Sequence, residues 1–284
     1  MISLYPTFYH TFQCKANNNA LPTQLGKDLR NFITIDDEGA HFIFSDEQPT
    51  CPLLQEDGLC RVVLELGEEG LCETCHMHPR FYKYIEDLEL CGVGLSCEES
   101  VEKLLSSKGD QVQFTIEDDE GEFGADERPL LENIFELLAL DIDPELCQLE
   151  LNQSISYCQE LIDLYAKTEP IDIEWTQQLG HLKATLAIAT VNNTTDLLQT
   201  TNCDKEIFNK VYQYILYRQI DMLAEYSLNA LVQYAFDATL FISLAARELG
   251  NLPEQIRRWS EQIEYDEDNV GFLFDAYEKS NYDI

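Results

Sequence analysis

Basic residues are scarce in this chain. Eighteen Lys and Arg stand against 53 Asp and Glu, for a formal net charge of -35. A field of that sign repels phosphate backbones and anionic lipid, which argues against nucleic acid and against a membrane surface as partners. It suits a cationic partner such as a lysine-bearing protein surface, although net charge speaks to solubility first. Gly and Pro are also few, 13 and 9 among 284 residues, and 45% of the residues are hydrophobic. That composition excludes disorder along the whole chain and allows a sizeable core. No stretch approaches the roughly 20 consecutive apolar residues that cross a bilayer. Met1 to Gln13 has neither a basic n-region nor a long apolar run, so no secretory leader is expected there. A cytoplasmic setting follows, in which thiols stay reduced.

The regular pattern is mostly helical. Phe32 to Ile35 and His41 to Phe44 flank an Asp- and Gly-bearing turn and read as a β-hairpin. Glu65 to His78 is expected to be a helix, ending before Pro79. Leu88 to Leu95 looks extended. Ser96 and Glu99 form a capping pair that opens a helix through Leu105 and sets Cys97 in its first turn, where the helix dipole favours an anion. A short strand-like piece, Val112 to Ile116, leads into the acidic run 117–120, read as a solvated connection. Beyond Arg128, apolar residues recur at helical spacing through Leu130–Leu138, Ile155–Tyr165, Thr176–Thr190 and Asp204–Leu223. Leu228 to Leu249 is apolar nearly all round, the mark of a central buried helix. The expected fold is mainly α: a cysteine-rich part with a small β-hairpin over residues 1–110, an acidic connection over 111–127, and an all-α bundle over 128–284.

Cysteine is unevenly spent. Six of the ten lie between Cys51 and Cys97, namely Cys51, Cys60, Cys72, Cys75, Cys91 and Cys97. In a reducing compartment such clustering points to a metal or an iron–sulfur centre rather than to disulfides. Cys72 and Cys75 form a C-x-x-C pair, able to set two sulfurs on one ion. We expect Cys51, Cys60, Cys75 and Cys97 to be the ligands, with Cys14, Cys72 and Cys91 as secondary candidates. Four thiolates suit Zn²⁺ or a [4Fe–4S] cluster, and spacing does not choose between them. Cys72-Glu73-Thr74-Cys75-His76 also matches a haem-attachment motif, which needs export. A thioredoxin-like pair needs a βαβ setting, and a radical S-adenosylmethionine site needs a cysteine where Glu68 stands. Cys147, Cys158 and Cys203 sit on apolar helical faces and read as ordinary core residues. His76 and His78 flank Cys75. Arg80 is a candidate donor to a cluster sulfide or a bound carboxylate.

The wording of this block is specific. Cys51-Pro52-Leu53-Leu54-Gln55-Glu56-Asp57-Gly58-Leu59-Cys60, then Glu65-Leu66-Gly67-Glu68-Glu69, Thr74-Cys75, Pro79-Arg80 and Leu95-Ser96-Cys97-Glu98-Glu99 resemble the conserved blocks of the flagellin lysine-N-methylase family. Glu98 stands where that pattern has proline. Tyr217-Arg218 is similar to a Tyr-Arg segment of the family's helical half. The family's early cysteine run is shortened: Cys14 matches its first member, and Lys15 to Ala20 holds no further cysteine. A weaker similarity extends to small metal-chelating proteins with C-x-x-C-x-x-C-C wording. The resemblance implies a [4Fe–4S] protein that moves a methyl group from S-adenosylmethionine to lysines of flagellin. A lysine must lose its proton before it attacks a methyl sulfonium, so a base is required. Gly92-Val93-Gly94 is no dinucleotide fingerprint. The alternatives are a zinc- or iron-binding module without catalysis, and a metal-free acidic adaptor.

Overall fold

The computed structural model describes residues 3–4, 23–36, 39–42, 50–85, 88–115, 117–118, 121–122, 129–140, 142–151, 153–192 and 202–279. The fold is mainly helical with small antiparallel β elements. The chain divides into two compact units, Met1–Arg80 and Phe81–Ile284. The boundary drawn from composition, at residue 110, lies inside the second of these.

The first unit opens with β1 (Ser3–Leu4) and α1 (Gln24–Phe32), which buries Leu25 and Leu29 one turn apart. α1 runs straight into β2 (Ile33–Asp36), which pairs antiparallel with β3 (Gly39–Phe42), Ile33 opposite Phe42 and Asp36 opposite Gly39. The hairpin is therefore present, with Phe32 in the preceding helix. Ile43 and Phe44 lie outside the described residues. β1 adds to the other edge of β3. The single helix expected over Glu65–His78 is instead three pieces: α2 (Arg61–Leu66), a 3-10 turn (Glu68–Gly70) and α3 (Glu73–Met77). Gly67 breaks the run at φ 75°, a conformation glycine adopts at no steric cost. Gly70 then passes so close to α2 that a Cβ there would lie 2.6 Å from the Leu66 Cβ. Among the described residues the unit's buried core is Leu25, Leu29, Leu53, Val62 and Cys72.

The second unit begins with the two-stranded sheet of β4 (Arg80–Ile85) and β5 (Leu88–Val93). α4 follows (Glu98–Ser106). Its N-cap is Cys97, one residue later than the capping pair predicted, and no side chain caps it. The Ser96 hydroxyl is buried instead, beside Tyr265. Residues 112–115 have no regular structure, and 116 lies outside the described residues. β6 (Glu117–Asp118) pairs with β7 (Gly121–Glu122). The bundle comprises α5 (Leu131–Leu137), α6 (Ile155–Tyr165), α7 (Ile173–Asn192), α8 (Asn202–Arg218), α9 (Leu228–Leu249), α10 (Leu252–Trp259) and α11 (Glu267–Lys279).

α9 is the axis of this unit and touches α6, α7, α8, α10 and α11. Ser227 caps its start by accepting from the Ala230 amide, and Gly250 at φ 75° ends it. Leu231, Tyr234, Ala235, Ala238, Phe241, Ile242 and Ala245 are fully buried. Its length and apolarity would allow it to cross a membrane, but most of it is buried among neighbouring helices. Phe241 stacks on Tyr165 at 4.7 Å and packs on Trp175 at 5.2 Å. Asn251 caps α10 through the Glu254 amide, as the Asn-x-x-Glu pattern predicts.

Candidate metal centre

The segment Cys51–Cys60 closes on itself. The Asp57 carboxylate accepts from the Leu59 amide at 3.0 Å, and Gly58 turns at φ 81° with its amide on the Gln55 carbonyl. Leu54 and Cys60 form an antiparallel bridge, and the Arg61 amide donates to the Leu53 carbonyl at 2.9 Å. The two cysteines at the ends of the loop are thus pinched together by backbone bonds. Arg61 fixes the loop to α1 through Asp28 at 3.0 Å and to its own helix through Glu65 at 3.2 Å.

Cys72 and Cys75 come from the next turn of chain. Cys72 is buried and immediately precedes α3. Its sulfur accepts from the Cys75 amide at 3.3 Å, while its carbonyl accepts from His76 at 2.8 Å. The Cys75 thiol is pushed far above the ordinary thiol range. The hydrogen bond with Cys72 contributes most, then desolvation, then the charges of Cys72, Cys51 and Cys60. Cys75 therefore lies within electrostatic reach of the three other sulfurs. These sulfurs stop short of ligand spacing: among the described residues no three His, Cys, Asp or Glu side chains meet closely enough to hold an ion as they stand. The donor set still suits a cation. Packed thiols resist ionising together because their thiolates repel, and a divalent metal inverts that repulsion and deprotonates them.

Cys72, a secondary candidate on spacing, is in this group. Cys97, expected as the fourth ligand, belongs to the second unit, as does Cys91 on β5. Cys14 lies outside the described residues. His78 is shifted below its ordinary pKa by desolvation. Arg80 donates Nη1 to the His76 carbonyl at 2.9 Å and so closes the end of α3. Cys147 and Cys158 are core residues, their thiols pushed up by burial to about 11 and about 12. The side chain of Cys203 is outside the described residues.

Sequence reasoning named no acid in the second unit, and two stand out there. Glu264 ends a π-helical turn, Ser260–Glu264, inserted between α10 and α11; such insertions are frequent at functional sites. Its carboxylate is 5% exposed and accepts from the Ser260 hydroxyl. Burial raises it, while Arg218 and Lys83 pull the other way. Arg218 lies over the Phe81 ring, 4.2 Å from its centroid, and Lys83 is paired with Asp221. Glu264 Oε1, Arg218 Nε and the Tyr214 and Tyr234 hydroxyls are buried with no hydrogen-bond partner among the described residues.

Asp237 is the second. It sits on α9, 4% exposed, and accepts from the Tyr157 hydroxyl at 2.6 Å and from Gln233 at 3.0 Å. Burial raises it to about 6 against the pull of these bonds and of Tyr277. Its signal was in the sequence, as the only charged residue of Leu228–Leu249 before Arg247. No family model, curated protein or solved structure matches the chain.

Proposed function

We propose that Cys51, Cys60, Cys72 and Cys75 hold an inorganic centre, and that the chain is a protein-lysine methyltransferase of the kind its resemblance to flagellin lysine-N-methylases implies. The observation that supports this reading is the Cys75 amide on the Cys72 sulfur, beside a Cys51–Cys60 loop closed by backbone bonds, with Cys75 within electrostatic reach of the other three thiols. In this reading the centre is a [4Fe–4S] cluster, the methyl donor is S-adenosylmethionine, and the acceptor is a lysine of flagellin or of another protein in the cytoplasm. A cluster held by these four thiolates would have every iron ligated by cysteine, and would supply a fixed charge and a tie between the Cys51–Cys60 loop and the start of α3. The chain supplies the loop that pairs Cys51 with Cys60, the α3 start that pairs Cys72 with Cys75, and an acidic surface that draws a cationic acceptor.

The test is elemental and enzymatic. Anaerobically purified protein is expected to carry iron and acid-labile sulfide, and to transfer a labelled methyl group to flagellin. One zinc per chain with no methyl transfer supports a second reading, a zinc-supported folding module. The core formed by the described residues of the first unit is in keeping with that reading, because it is small and a small core gains most from a metal staple. Metal-free protein with an intact first unit overturns both.

A further inference from the structure

α7 has two unlike sides. Its inner side, Trp175, Leu179, Leu182, Leu186 and Ala189, is buried, and the helix packs on α6 and α9. Its outer side carries Ile173, Gln177, Gly180, Ala184, Ala187 and Ile188, all exposed, with the two isoleucines 63% and 62% open to solvent. A surface helix ordinarily turns charge outward. This one has only Glu174 and Lys183 as charged residues in its 20, within a chain of 53 acids. We infer that this outer face is the contact of a homodimer, in which α7 of one copy packs antiparallel across α7 of a second copy, with Gly180 at the crossing.

The spacing is that of a helix seam. Ile173, Gln177, Gly180, Ala184 and Ala187 follow steps of four and three, which keep them on one line along the helix. The line is also close to a palindrome in size. At 1.5 Å per residue, Ile173 and Ile188 lie roughly 11 Å to either side of the point between Gly180 and His181. Reversing one copy therefore sets Ile173 of each against Ile188 of the other, and Gln177 against Ala184. Two crossed helices approach closest at the crossing and diverge toward their ends. Gly180 and Ala184 permit the close approach, and the isoleucines fill the widening gap. Within one copy nothing calls for a glycine here: Gly180 is not in the left-handed region, and a Cβ added to it would meet no atom within 4 Å. Glycine weakens a helix interior, and close approach of another backbone is what it offers in return.

The matched ends select a second copy as the occupant. A twofold pair uses one patch twice and needs it to be self-complementary, which a different protein does not. Charge agrees with this. Two copies at -35 each repel, so contact is least costly where acids are sparse. In the antiparallel pair the two Glu174 residues stand about 20 Å apart along the axis, beyond the roughly 10 Å over which charges act in 0.1 M salt. About four helical turns of contact fall short of the roughly 1,200 Å² of a stable interface, so the dimer is a reversible one. The inference stands apart from the cysteine centre, and metal analysis does not bear on it.

The test is sedimentation equilibrium of the full-length protein under reducing conditions, at concentrations up to about 1 mM. Dimerisation is expected, several-fold stronger when salt is raised from about 0.1 to about 0.5 M, because salt screens the mutual repulsion. Ile188→Glu and Gly180→Leu should each weaken it by roughly tenfold or more. Gly180→Leu should not lower the melting temperature, since leucine is the better helix former and its site is open, so lost association there is not lost folding. The photo-crosslinker benzoylphenylalanine placed at position 177 should attach to residues 181–188 of the second copy. A monomer at every concentration and salt, a dimer that both variants leave unweakened, or attachment outside 181–188 overturns the inference. So does crosslinking in cells to another protein alone, which gives the face to that partner.

Discussion

The amide of Cys75 donates to the sulfur of Cys72 at 3.3 Å, so the C-x-x-C pair is pre-bonded by its own backbone. An N–H aimed at sulfur favours thiolate over thiol, and it orients Cys72 before any metal arrives. Replacing Cys72 removes an oriented ligand and a core residue together. Cys72→Ser should therefore lose the metal and destabilise the first unit more than Cys75→Ser, whose side chain is exposed. Each of Cys51→Ser, Cys60→Ser and Cys75→Ser should cost at least half of the bound metal, and Cys147→Ser none. Metal content of the purified variants checks this, and full retention by all four would remove the proposed centre.

Metal removal should act unevenly along the chain. The first unit has a core of Leu25, Leu29, Leu53, Val62 and Cys72, whereas the second is built around a buried 22-residue helix. Chelation under reducing conditions is expected to expose amides 51–77 to hydrogen exchange within minutes. α9 amides should stay protected, because their opening requires loss of the large core.

Asp237 gives a pH dependence of definite sign. Its folded value, about 6, lies above the ordinary 3.8. Between those values the native state binds the proton that the unfolded state has released. Stability is therefore fully present below about pH 4, falls as pH rises through 6, and levels off above it. The cost at neutral pH is on the order of 3 kcal/mol. The groups around it are Tyr157, Cys158 and Tyr165 on α6 and Tyr277 on α11, with Glu160 and Lys167 nearby; the Cys158 thiol and the tyrosines remain neutral over this range. Asp237→Asn should fold, flatten the slope between pH 4 and 6, and gain about 2 kcal/mol at pH 7. Urea denaturation across that range measures it, and an unchanged slope would contradict the assignment.

Arg218 and Glu264 should couple through their charges without a direct ion pair. Arg218→Met removes the largest opposite charge felt by the buried Glu264 carboxylate and should destabilise the fold by about 1 to 2 kcal/mol. Glu264→Gln in the same chain should recover much of that. Additive losses in a double-mutant cycle would show that the two do not couple.

In the bundle, Phe241→Ala should cost about 3 to 5 kcal/mol, because it opens a void between Tyr165 and Trp175. Thermal or chemical denaturation reads the loss directly.

Much of this was legible in the order of residues. Helical periodicity alone sets α6 and α9 to the residue, because a long buried helix shows its apolar face at fixed spacing and their N-caps, Ser154 and Ser227, are local. The hairpin of Ile33–Phe42 follows from its turn and its β-branched arms. The loop that joins Cys51 to Cys60 is likewise local, since its Asp57-Gly58 turn needs no distant contact. Three features depended on the folded chain. The helix expected over Glu65–His78 is broken at Gly67, where a positive φ and close packing of Gly70 outweigh helical propensity. Chain path set the surroundings of the cysteines: Cys72 sits in a core next to Cys75, and Cys97 caps a helix of the second unit. The environments of Asp237 and Glu264 arise from packing between helices far apart in sequence. Burial is a property of what surrounds a carboxylate, and no spacing rule along one strand of residues encodes it.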